Sequence, residues 1–306
     1  MKKQKKKMNK ITKNQLIFVW GVLALPLLSF IVFYWYVNIN SILLAFRNID
    51  YAKGGIEYWT LDNFKEVFHL FKGEVRGSDF KLYGLNTLKF WLLSALWDIP
   101  FCVLMTYAFF KNMLGHKFFR VILYIPAIIS AVALTGIFSS IIDTNGAFGY
   151  MLENVFHVSR VPSWFQEAEY VLPALMFYSW FFSMAGSYVV YSGAIASIPR
   201  EIFEAAHMDG VTMWQEIRYI CVPLMWPTIS VTVLNTFIGI FNASGPNLLL
   251  APEMKEAWSL GYWIFDQVNT YNSYYVPSAL GLCFTIIMFP IAILIKRIVN
   301  NMFTVE

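Results

Sequence analysis

Few side chains in this 306-residue chain could do chemistry, and most of those are polar groups set in long apolar stretches. Asp98 is the one acid deep inside such a stretch. An ionisable group at membrane depth is costly enough to point to a function. As a proton relay it would need partners, but Lys89, nine residues away, falls on roughly the opposite side of a helix. A hydrogen bond within a helical bundle is the simpler role. In another apolar stretch Asn235, Gly239 and Asn242 recur at spacings of four and three, on one helical face. Amides inside a bilayer must face protein or water. Beside Phe241 they suit a sugar, whose hydroxyls take amide hydrogen bonds and whose C–H faces pack on aromatic rings. Ser183, Ser187 and Tyr188 form a second, sparser set of candidates. The same small and polar residues serve equally well as glue between helices.

Reactive clusters are missing from the sequence. His69, His116, His157 and His207 are scattered, without the H-E-x-x-H or paired spacing that a metal needs. Cys102, Cys221 and Cys283 are odd in number and widely spaced, and they read as small apolar residues rather than a disulfide framework. There is no G-x-S-x-G elbow and no G-x-x-x-x-G-K-[ST] phosphate loop. No catalytic residue, no metal and no bound ATP are therefore expected in this chain.

The elements that must carry these residues are membrane spans. Charged residues make up only 14% of the chain, against about a quarter in a soluble domain. Six segments are long and apolar enough to cross a bilayer, near Leu16–Ala45, Thr87–Phe110, Val121–Ile142, Val171–Ile195, Leu224–Leu250 and Val276–Ile295. The first exceeds what a bilayer requires and is expected to protrude. It is too long, and lacks the cleavage site, for a signal peptide. Lys and Arg flank one side throughout: the N-terminal lysines, then Lys111, Lys117 and Arg120, then Arg200 and Arg218, then Lys296 and Arg297. The opposite loops are mixed or acidic, which predicts a multi-pass protein of the cell membrane with both termini cytoplasmic. The run of lysines over 1–14 reads as a basic cytoplasmic end beside the lipid rather than a nucleic-acid arm, and 15–306 as one six-helix domain. Outside, Leu61, Phe64, Val67, Phe68 and Phe71 recur at helical spacing behind a Thr60 N-cap, as in an amphipathic helix on the outer membrane face.

The stretch 197–227 (SIPREIFEAAHMDGVTMWQEIRYICVPLMWP) is too polar to span. Pro199, Arg200 and Glu201 suit a first helical turn. Ile202, Ala205 and Ala206 make a small-residue face, Gly210 can end the helix in a left-handed conformation, and Thr212 with Gln215 makes a capping box for a second helix that Pro223 closes. The product is a cytoplasmic helical elbow with Glu204 and Asp209 exposed.

Glu204-Ala205-Ala206, then Asp209-Gly210, then Ile220, Pro223 and Pro227 resemble the E-A-A…D-G…I-x-L-P…P signature of bacterial ABC import permeases. Val211, Ile217 and Val222 depart from it mildly. Leu61-Asp62-Asn63-Phe64, Asn86-Thr87-Leu88, Phe119-Arg120, Pro126, Asn145-Gly146, Ser244-Gly245-Pro246, Leu260, Tyr262 and Pro277-Ser278-Ala279 are similar to the carbohydrate type, the maltose and glycerol-phosphate permeases, and to the first permease of such pairs. Val37 stands where that type has a proline, and Ala243-Ser244-Gly245-Pro246 is a reduced form of its Gly-rich turn.

The resemblance implies an all-α integral membrane fold whose elbow is the coupling helix. Glu204, Ala205, Ala206, Asp209 and Gly210 would meet an ABC ATPase. The implied partners are that ATPase, which binds ATP and magnesium, a second permease and an extracytoplasmic solute-binding protein. The cargo is a sugar or oligosaccharide, moved inward by alternating access. Asn235, Gly239, Phe241 and Asn242, with Ser183 and Tyr188, would meet it. A non-sugar ABC import permease and a proton-coupled carrier using Asp98 are the alternatives.

Overall fold

The computed structural model describes residues 13–50, 54–74, 79–241 and 245–302, which are almost wholly helical. The lysines through Lys10 and the candidate Asn242 lie outside the described residues. Five helical stretches have the length and hydropathy to cross a membrane: Gln15–Ala45, Phe80–Phe110, Ala131–Asn154, Met213–Phe241 and Tyr275–Met302. A sixth is Ala168–Ala196, which continues after a 74° bend into Arg200–Met208.

The described residues fall into two compact units, one from Met1–Phe68 and Tyr274–Cys283, the other from His69–Ser273 and Phe284–Glu306. The first begins with α1 (Lys13–Phe30), a π-helical turn Ile31–Tyr36, and α2 (Val37–Ala45). None of its most apolar window is buried by protein, and residues such as Leu25, Phe33 and Tyr36 are exposed. Such a surface is stable only against lipid or another membrane chain. A short antiparallel hairpin follows, β1 (Arg47–Asp50) with β2 (Ile56–Trp59), an addition to the all-helical expectation. Arg47 stacks over Trp59 at 4.8 Å and pairs with Glu57 at 3.4 Å.

Helix α3 (Asp62–Lys72) starts as expected, with the Asp62 amide bonded to the Thr60 hydroxyl at 3.0 Å. Lys65 and Thr60 hold the Asp62 carboxyl below the ordinary carboxylate range. The face packed against protein shares Val67 with the apolar stripe read from spacing and otherwise leaves most of that stripe open. It is Asn63, Val67 and Leu70, while Leu61, Phe68 and Phe71 are exposed. Asn63 is completely buried because its amide donates to the carbonyls of Ala45 and Arg47, at 3.0 and 2.7 Å, where the chain leaves α2 for the hairpin.

The second unit is organised around α9 (Ala168–Ala196), which packs against α5 (Ile99–Phe110), α6 (His116–Ile128) and α12 (Val222–Ile238). Tyr191, Ile195, Met225, Cys102 and Cys221 are buried at its centre. Two spans contain π-helical turns just before a proline. Helix α4 (Phe80–Leu93) continues through Ser94–Asp98 into α5, and the Ile99 amide reaches back to Ser94 O ahead of Pro100. Helix α11 (Met213–Glu216) continues through Ile217–Cys221 into α12, and the Val222 amide reaches Ile217 O ahead of Pro223. A proline removes one donor and crowds the preceding turn, and a widened turn relieves both. Pro223 therefore does not separate a short elbow helix from the fifth span; the helix runs on as one element. That span ends earlier than expected, in a 3₁₀ turn at Gly239–Phe241, with a separate α13 (Gly245–Leu250) beyond.

The third span also differs from its expected form. Val121–Ile142 is not one helix: α6 stops, Ile129 and Ser130 are extended, and the Ser130 hydroxyl caps α7 (Ala131–Ile142) by accepting from Ala133. After α7 the chain turns tightly into α8 (Ala147–Asn154). A Cβ on Gly146 would lie 2.3 Å from Ser140 O, and one on Gly149 would lie 2.1 Å from Thr144 O.

The Asn86-Thr87 pair acts as a clamp. The Asn86 amide donates to Glu256 O (2.8 Å) and Trp258 O (3.1 Å), and the Thr87 hydroxyl accepts from the Leu260 amide (2.8 Å). Asn247 adds a bond to Ala257 O at 2.7 Å. Together they fix the loop before α14 (Leu260–Asn269). Asn86→Leu leaves two carbonyls unpaired and should cost about 2–4 kcal/mol. A lower midpoint in fluorescence-detected unfolding of the detergent-solubilised protein checks this, and an unchanged midpoint contradicts it.

Candidate functional site: an elbow and the cavities above it

The elbow forms from local sequence. Helix α10 (Arg200–Met208) ends in a Schellman motif: Val211 N–H bonds Ala206 O at 3.0 Å, Gly210 N–H bonds His207 O at 3.1 Å, and Gly210 has φ +69°. Glycine takes that conformation without the Cβ strain other residues incur. Thr212 and Gln215 then make the expected capping box, with Thr212 N–H bonded to the Gln215 side-chain oxygen at 2.8 Å.

Helix α10 turns Phe203 and Ala206 inward and leaves Glu204, Ala205, Met208, Asp209 and Gly210 exposed. Of the small-residue face read from the sequence, Ala206 is buried, Ile202 is half-buried and Ala205 is exposed with Glu204. Met208 is 85% exposed.

The seat of the elbow rests on residues that spacing did not single out together. Lys111, at the end of α5, pairs with the largely buried Glu216 of α11 at 2.5 Å. The same ammonium lies 5.0 Å from the centre of the Phe203 ring, and Phe110 packs on Phe203 with ring centroids 5.0 Å apart. One cation thus joins the end of the second span, the elbow helix and the start of the fifth span. In the sequence Lys111 is one of several basic residues at span ends, and nothing in its spacing points to Glu216, which is more than a hundred residues away.

Above the elbow, a cavity of about 500 Å³ opens between α9 and α12, lined by Gly186, Ser187, Thr228, Thr232 and Asn235 among others. Asn235 is exposed within it. Ser183 lines a second, smaller cavity beside Asp98. The other candidates do not join these two. Tyr188 is buried in the core between Phe109 and Tyr124, each at 5.4 Å. Phe241 stacks on Phe284 at 4.4 Å. Gly239 follows the last turn of α12, so the helical face shared with Asn235 stops there.

Residues 81–303 match the family model of the binding-protein-dependent transport system inner membrane component. The chain belongs to that family. Its membership fits the multi-pass helical architecture, and it favours ABC import over a proton-coupled carrier. This permease is 24% identical to the multiple sugar-binding transport system permease protein MsmF of Streptococcus mutans, across 90% of this chain and 92% of that protein. It is 23% identical to the arabinooligosaccharides transport system permease protein AraP of Bacillus subtilis, across 87% and 83%. The galactooligosaccharides transport system permease protein GanP of Bacillus subtilis matches at 24% over 60% of this chain, which spans 46% of that longer protein. Among solved structures, a chain of a bacterial ABC transporter that imports the acidic polysaccharide alginate shares the fold. The TM-score is 0.80 at 20% identity, covering 95% of this permease and 98% of that chain.

The shared ammonium makes a specific prediction. Lys111→Met strands a largely buried carboxylate and should destabilise the permease by about 3 kcal/mol. Lys111→Met with Glu216→Leu should recover most of that loss. A single variant with wild-type thermal stability would contradict the role given to the ion pair.

Proposed function

We propose that this permease is one of two membrane subunits of an ABC importer that carries a sugar or oligosaccharide into the cytoplasm by alternating access. The observation that carries the reading is the elbow. Its inward face is fixed to the bundle by Phe203, Ala206 and the Lys111–Glu216 pair, while its outward face presents Glu204, Ala205 and Asp209. A rigid, solvent-facing helix at the base of a span is what a partner ATPase needs in order to move the helices it grips. The ATPase supplies ATP and magnesium chemistry, and this chain is its non-catalytic transport partner. The basic residues at the span ends support a cytoplasmic side for the elbow and both termini. On the outer side a solute-binding protein delivers cargo.

The saccharide reading rests on two supports. The matched relatives include permeases of sugar and oligosaccharide systems over nearly their full length. The cavity between α9 and α12 offers hydroxyls and the Asn235 amide on an otherwise apolar wall, chemistry suited to polyols.

Purification of the tagged chain in mild detergent, followed by mass spectrometry, should recover a phosphate-loop ATPase and a second permease with its own E-A-A elbow. Recovery of this chain alone, from membranes where those partners are expressed, would contradict the importer reading. Coupling has its own test. Gly210→Val forces a β-branched residue into a left-handed turn at a cost of roughly 1–2 kcal/mol and should separate ATP hydrolysis from uptake in proteoliposomes. Wild-type coupling in that variant would remove the elbow from the mechanism.

A further inference from the structure

Asp98 lies in the π-helical turn ahead of Pro100 and is only 4% exposed. Wide turns of this kind re-aim side chains and recur at functional sites. Beside it is a cavity of about 140 Å³, lined by Ser94, Asp98, Ser179, Trp180, Ser183 and Asn247 among others. That is more room than a single water needs.

Three of these lining residues hold buried polar atoms with no hydrogen-bond partner among the described residues: Ser179 Oγ, Trp180 Nε1 and Asn247 Oδ1. Asn247 is completely buried, and its amide nitrogen is committed to Ala257 O at 2.7 Å, which leaves Oδ1 as the free acceptor. The Asp98 carboxyl accepts from the Cys102 thiol at 3.5 Å. An unpaired indole donor, an unpaired amide acceptor, a hydroxyl that can do either and a carboxyl around one space suit an occupant that both donates and accepts.

The cavity is continuous in sequence pattern with the larger one. Ser179, Ser183, Gly186, Ser187 and Val190 make one stripe on α9; the first two line the Asp98 cavity and the other three line the cavity holding Asn235. No Lys, Arg or His lines either cavity among the described residues.

We propose that the Asp98 cavity binds the hydroxyls of the transported saccharide and selects uncharged sugars against acidic ones. A pair of ring hydroxyls can donate to Asp98 and Asn247 and accept from Trp180, while the indole face packs against C–H groups. A sugar carboxylate would meet a carboxyl and no cation, at a depth where water cannot compensate it. The proposal rests on the saccharide-import reading, and its test separates the two.

The experiment is competition binding to the purified importer complex without its solute-binding protein, so that the selectivity measured is that of the membrane subunits. A panel of tritiated neutral di- to tetrasaccharides is displaced by unlabelled neutral oligomers or by the corresponding uronates. In the wild type, uronates should displace at least tenfold more weakly. Asp98→Asn should weaken neutral binding several-fold and narrow the neutral-to-uronate ratio by at least tenfold. Ser179→Ala, a milder change, should weaken neutral binding while keeping the ratio. Uronates that displace as well as neutral sugars, or an unchanged ratio in Asp98→Asn, would overturn the proposal while leaving saccharide import standing. Neutral binding unaffected by both variants would mark the cavity as a water pocket and overturn it too. A wild-type complex that binds no saccharide of either charge would overturn the saccharide reading and this proposal with it.

Discussion

The ammonium of Lys111 holds the elbow of this permease to its helical bundle. It sits where three segments end: the second span, the elbow helix and the element that becomes the fifth span. Glu216 is largely buried beside it and Phe203 faces it with a ring. Glu216 is largely out of water while Lys111 keeps about a third of its side chain exposed, so the cost of burial falls on the carboxylate, and the ammonium offsets it only while the two stay in place. This makes the contact a positioning device more than a source of stability. If the elbow tilts away, Glu216 is left with unmet charge, which ties the position of α10 to those of α5 and α12.

The same constraint acts through the rest of the second unit. Polar groups inside a membrane protein must be satisfied by protein or by something the protein binds. Asn86, Thr87 and Asn247 spend amide or hydroxyl capacity on the loop before α14, and the Trp226 indole nitrogen donates to Val299 O at 2.6 Å, tying the fifth span to the last helix. The unpaired atoms of Ser179, Trp180 and Asn247 have in common that they belong to the lining of one cavity beside Asp98.

Much of the architecture was legible in the sequence because the bilayer imposes a length and polarity that single residues cannot escape. The elbow was legible for a different reason: Gly210, Thr212 and Gln215 act on neighbours two to five residues away, and local chemistry survives any fold. What spacing missed depends on contacts between distant segments. Tyr188 reads as a polar candidate until α9 turns it toward Phe109 and Tyr124. Asn63 reads as an ordinary polar residue until α3 buries it, because two carbonyls at the end of α2 need a donor. Pro223 looks like a break until a π-helical turn absorbs it. The Lys111–Glu216 pair has no local signature at all.

The central claim is that the elbow and the helices above it move as one body. Spin labels at Met208→Cys on α10 and Met113→Cys just past α5, in a background lacking the native cysteines, report the distance between them in the assembled importer. The account predicts a change under about 2 Å between the nucleotide-free and ATP-trapped states, the scale of a small helix shift. A change approaching a full helical turn, about 5 Å, would show the elbow swinging independently and would contradict it.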